Sequence, residues 1–146
     1  MRQDILRAII ENIHGQCSCI CDCKTFKGNE SLEQLASLFL SDEGIDFCIR
    51  NHFPNTSTFR LFKDCGLEKY GIYIDAGDIE IVNPEKVVLI GRTTAVVKCS
   101  SGGRHEVIAL NGGKAIISAS RWAVVVVKAQ AGSTIVKNIS ENAVIL

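Results

Sequence analysis

Charge of a single sign is missing from this sequence. Lys plus Arg and Asp plus Glu number 16 each, so the net charge is zero. That balance argues against a partner gathered by bulk electrostatics, whether a nucleic-acid backbone or an anionic membrane, and leaves only a local patch to do so. Long apolar runs are missing too. No stretch approaches the length that spans a bilayer, and even residues 123–127 are stopped by Lys128. Arg2, Asp4, Arg7 and Glu11 interrupt the first 13 residues, unlike the apolar centre of a signal peptide. Aromatic residues make up only 6 %. Cysteines number seven, and an odd count fits a reducing compartment better than a disulfide framework. These absences give the expectation of a soluble cytoplasmic protein with no membrane partner.

Catalytic signatures are equally scarce. His105-Glu106 lacks the second histidine of a helical zinc-hydrolase motif. Ser118 and Ser120 have no Gly-x-Ser-x-Gly context. No phosphate-loop lysine follows Gly102-Gly103-Arg104, and Asp75, Asp78 and Glu80 read as a turn around Gly77, not as a calcium loop. No catalytic residue, and so no enzyme, is expected.

What the chain does have is enough apolar material for a core. Its 146 residues are 47 % hydrophobic and 22 % charged, which excludes general disorder. The pattern changes part-way along. Ile5, Leu6, Ile9, Ile10 and Ile13 fall on one helical face, with Gly15 as a stop. Ser31-Leu32-Glu33-Gln34 is a capping box that opens a second helix carrying Leu35, Leu38 and Phe39. A third helix begins after Asp42 and ends before Phe53-Pro54, and a fourth begins near residues 55–57 and runs toward Gly66. All six phenylalanines lie at or before position 62, so the aromatic core belongs to the helices.

From Tyr70 the period becomes two. Ile72 and Ile74, then Ile79 and Ile81, then residues 87–90 read as strands, separated by the turn signals Asp75-Ala76-Gly77-Asp78 and Asn83-Pro84-Glu85-Lys86. Beyond them one phrase recurs: a small residue, then β-branched ones, then a polar or glycine step. It begins at Ala95, Ala115, Ala123, Thr134 and Ala143, at steps of 20, 8, 11 and 9, with residues 105–110 supplying a strand inside the double step. Short strands of this kind bury their apolar faces only against the next repeat. The last sixty or so residues therefore resemble the short bacterial β-solenoids built from Gly-Asn-Ala-Thr-Val-like units, and are similar in pattern to bactofilin-type rods. The resemblance implies a structural, self-associating protein. The fold class expected is α+β, a helical module over residues 1–68 followed by a solenoid module over 69–146. A β-roll or sandwich is the alternative, with Gly112-Gly113 as a hairpin turn.

Three residue sets are candidates for function. The chain closes on Asn142-Ala143-Val144-Ile145-Leu146, in mid-repeat and without a polar cap. Asn142, Val144, Ile145 and Leu146 are thus expected to pair with a second copy, giving a homo-oligomer. Cys17, Cys19, Cys21 and Cys23 alternate, and in an extended chain they would share one face. Zinc sites prefer wider spacing, so this set suits copper(I), or zinc shared with His14 or Cys48, if it is not simple packing. No other cofactor is expected. Finally, residues 42–65 resemble a helix-turn-helix, with Arg50, Thr58, Arg60 and Lys63 toward nucleic acid. Asp42, Glu43, Asp64 and Glu68 oppose that reading. A structural or interaction protein is the expectation, and a small DNA-binding or regulatory protein the alternative.

Overall fold

A computed structural model describes residues 3–20 and 26–146. The chain divides into two compact units, residues 1–65 and 66–146.

The first unit is helical. Helix α1, Gln3–Ile20, continues through Gly15, where the sequence suggests a stop. The physical reason lies one turn further on. Leu6, Ile10, Ile13 and Cys17 are buried at helical spacing, so the apolar stripe outlasts the glycine, whose propensity cost of about 1 kcal/mol is overridden. Helix α2, Leu32–Leu40, opens on the capping box: Ser31 Oγ accepts the Gln34 N–H at 3.2 Å and Gln34 Oε1 accepts the Ser31 N–H at 2.9 Å. Helix α3, Asp42–Asn51, follows immediately. Ser41 serves both helices, since its hydroxyl donates to Leu38 O at 2.7 Å and accepts the Gly44 N–H at 3.0 Å. Gly44 is required there, because an added methyl would strike the carbonyl oxygens of Leu38 and Phe39. His52 in the left-handed region closes α3. Helix α4, Thr56–Arg60, is capped by Asn55 but lasts only five residues. A 3₁₀ turn at Lys63–Cys65 then leads to Gly66 at φ 75°, so the fourth helix is broken well before its expected end.

The second unit is a β-solenoid. Strands β1 (Ile72–Ile74), β3 (Lys86–Ile90), β5 (Arg104–Leu110), β7 (Val124–Ala129) and β9 (Val144–Ile145) stack in one parallel sheet, sheet A. Strands β2 (Gly77–Val82), β4 (Thr93–Cys99), β6 (Lys114–Ala119) and β8 (Thr134–Ile139) stack in another, sheet B. Consecutive strands lie in different sheets and every pairing is parallel, so Gly112-Gly113 turns between sheets and no hairpin forms. Each turn of the solenoid advances by 20 residues, as Thr94↔Lys114 and Lys114↔Thr134 show. The first turn advances by only 16, from Gly77 to Thr93.

Inward-facing residues form the core between the sheets: Val87, Leu89, Val107 and Val125 from sheet A, and Ala95, Val97, Ala115 and Ile117 from sheet B. Small residues over large ones let the layers close to interior packing density. The corners hold themselves by capturing backbone donors from the adjacent turn. Asp75 Oδ1 accepts the Arg92 N–H at 2.7 Å, Asn83 Oδ1 accepts that of Ser100 at 2.7 Å, and Gln130 Oε1 accepts that of Asn111 at 2.9 Å. Buried His105 fills the step where a 20-residue turn overhangs the 16-residue one, its Nδ1 donating to Pro84 O at 2.7 Å.

Candidate functional site

The solenoid's last turns present two edges of opposite character. On sheet B, β8 pairs on one side only, with β6. Its register continues the inward column Ile81, Val97, Ile117, and the residue in that column is Lys137, which is exposed. A charge at an inward position of an edge strand is a standard block to strand addition, because a pairing partner would bury an ammonium group. On sheet A, β9 also pairs on one side only, with β7, and carries no charge. Val144 N–H donates to Ala123 O at 2.9 Å and Leu146 N–H to Val125 O at 2.7 Å, while Ile145 points into the core.

The outer face of sheet A extends that apolar edge. Val125 and Val127 face the core, so Val124 and Val126 face outward, and Val144 stacks on Val124. Val124 and Val126 are half-buried, whereas Val144 is exposed and Leu146 is 65 % exposed. At the corner beside them stands Trp122, the only tryptophan in the chain, 68 % exposed. Arg121 and Trp122 both sit in the left-handed backbone region, at φ 52° and 66°. Bulky side chains there cost of order 1–3 kcal/mol each, and such strain gathers where a side chain is presented for a purpose. The Arg121–Glu141 ion pair, at 3.8 Å, joins this corner to the one above.

The four self-association candidates all fall in this region: Asn142 at the last corner, at φ 60°, then Val144, Ile145 and Leu146 on β9 and just beyond it. The sequence reading did not single out Trp122, Val124, Val126 or Lys137. The 20-residue register is the signal that would have sorted them into inward and outward columns.

The nucleic-acid candidates are not equivalent. Arg50, Arg60 and Lys63 are exposed, whereas Thr58 is buried, with its N–H donated to Asn55 Oδ1 at 2.9 Å. The expected second helix of a helix-turn-helix is the five-residue α4, too short to lie along a major groove.

Among the cysteine candidates, Cys21 and Cys23 lie outside the described residues. The backbone at positions 17–20 is helical, not extended as expected, so alternation there does not produce a common face. Cys17 is buried on the α1 stripe. It lines a cavity of about 490 Å³ in the helical unit together with Cys48 of α3. Burial, and secondarily the proximity of Cys17, pushes the Cys48 thiol up to about 12. Burial also raises the thiols of Cys65 and Cys99. Among the described residues, no three His, Cys, Asp or Glu side chains are grouped to hold a metal ion, and no helix is long and apolar enough to cross a membrane.

Comparison with known proteins gives no match: no family model, no curated protein and no solved structure is significantly similar to the chain. The resemblance to bacterial solenoids is therefore one of fold, and no bactofilin identity follows from it.

Proposed function

We propose that this chain is a structural or protein-interaction protein that self-associates through the sheet A side of its last solenoid turns, and that it has no catalytic role. One observation carries the reading: the β9 edge and the outer face beside it are apolar and exposed, while the β8 edge is closed by Lys137. An unpaired parallel strand with apolar neighbours is completed most simply by a second copy of itself, because an isologous contact satisfies both edges at once. Trp122 supplies the large, rigid side chain that anchors such contacts. A role in the reducing cytoplasm agrees with the odd number of cysteines.

Sedimentation velocity on the 146-residue chain, beside the double variant Val144→Lys/Leu146→Lys, tests this. The expected result is a dimer or longer species for the parent and a monomer with an unchanged circular dichroism spectrum for the variant. A parent chain that remains monomeric up to about 100 μM, a concentration at which even a weak specific contact is populated, overturns the proposal.

A further inference from the structure

The helical unit contains a feature that assembly does not use. Close-packed interiors leave few voids larger than a water molecule, yet a cavity of about 490 Å³ opens among α1, α2 and α3, within the range of roughly 300–1,000 Å³ that encloses small-molecule ligands. Its walls are mostly apolar and aromatic, with Phe26, Phe39, Phe47 and Phe53 contributing rings and Cys17 and Cys48 contributing thiols.

Two properties of those walls bear on what the cavity is for. The rings are buttressed. Phe26 is held edge to face by His14 at 5.2 Å, Phe39 by Phe59 at 5.7 Å, and Phe47 and Phe53 hold each other at 6.2 Å. Walls fixed by second rings do not collapse inward, so the space is preorganised. The interior is also unfavourable to charge. Cys48 stays a neutral thiol because its surroundings cannot solvate a thiolate. The charged lining residues, Glu43, Asp46 and Arg50, all come from α3, and all three are exposed.

We propose that this cavity is a binding site for an uncharged, aromatic small molecule, giving the helical unit a ligand-recognition function separate from solenoid assembly. Aromatic rings suit it because edge-to-face packing against fixed phenyl rings adds to simple area burial. Charged compounds do not suit it, because their buried part would lose hydration without compensation.

Titration of the full chain with N-phenyl-1-naphthylamine, an uncharged aromatic fluorophore, is the direct test. Saturable binding at one site per chain is expected, with its anionic relative 1-anilinonaphthalene-8-sulfonate binding at least about tenfold more weakly. Cysteine alkylation by iodoacetamide, read peptide by peptide, locates the site without a variant that could misfold. Bound fluorophore should slow modification of Cys17 and leave Cys65, which does not line the cavity, unaffected. Absence of saturable binding overturns the proposal. So does binding that leaves Cys17 unprotected, since the fluorophore then sits elsewhere, and so does equal affinity for the anion.

Discussion

Replacing Lys137 by isoleucine should convert a blocked edge into an adhesive one. Lys137 stands over Ile117 in the column that Val97 and Ile117 fill with fully buried side chains. Complete burial of an isoleucine side chain contributes about 1.5–3 kcal/mol. At position 137 the layer below covers roughly half of it, so the isolated protein should gain only about 1 kcal/mol. The other half is realised only when a second copy covers the end, and a two-fold contact realises it twice. That amounts to about 2–3 kcal/mol per interface, or one to two powers of ten in association constant, before counting the ammonium group that no longer needs to be dehydrated. Sedimentation velocity over a concentration series reads the effect directly. Lys137→Ile should associate more tightly and form larger species, because both sheet edges can then add strands, whereas Lys137→Glu should behave like the parent. If Lys137→Ile shows the parent's association constant to within about threefold, the inward lysine is not what closes the sheet B edge, and that argument fails.

Two further perturbations probe the units separately. A methyl added at Gly113 would collide with the carbonyl oxygen of Leu89, backbone that cannot yield, so Gly113→Ala should cost about 3 kcal/mol or more. Gly102→Ala, which meets open space, should stay within about 0.5 kcal/mol by urea denaturation. In the helical unit, the Cys48 thiol is raised from 9.0 to about 12. Between those values the unfolded chain has released its proton and the folded chain retains it, so stability should be level below about pH 9 and fall as pH rises toward 12. Denaturation followed by helix content should show that slope, with Cys48→Ala flattening it. An equally steep slope in the variant would remove Cys48 as its cause.

Legibility in the sequence followed the range of the interaction. The Ser31/Gln34 capping box and the turns at Asp75 and Asn83 are read within four residues, and the structure has them where the sequence puts them. The stop expected at Gly15 fails because Cys17 extends the buried stripe, a contribution visible only once its neighbours are in place. The fourth helix fails for the converse reason: Phe59 and Phe62 are buried but Leu61 between them is exposed, and the chain leaves the helix to bury both rings. The repeat was legible because Ala95/Ala115 and Ala123/Ala143 are true neighbours within a sheet, 20 residues apart. The shorter steps cross from one sheet to the other and so look irregular. The cavity was not legible at all, because its lining is gathered from positions 13 to 54 on three helices and the segments between them.

The outer face of sheet A, followed turn by turn, explains why the exposed patch is the part that invites a partner. Two of its columns read Ile72, Val88, Ile108, Lys128 and Ile74, Ile90, Leu110, Gln130: apolar and buried for three turns, then polar. The adjacent columns run the other way. Arg104 is followed by Val124 and Val144, and Lys86 and Glu106 by Val126 and then Leu146. Between the two apolar regions lie the ion pairs Lys86–Glu106 at 3.5 Å and Arg104–Glu106 at 3.3 Å. Outward-facing apolar columns on a solenoid carry no benefit to the core between its sheets, so their composition answers to what lies outside. The first region is covered and its residues are fully or nearly fully buried. The second has the same composition, with a strained and exposed Trp122 at its corner, and the ionic stripe keeps a partner there from sliding toward the first. A contact centred on Val144 and Leu146 is therefore bounded by charge on one side and by the Lys137 edge on the other.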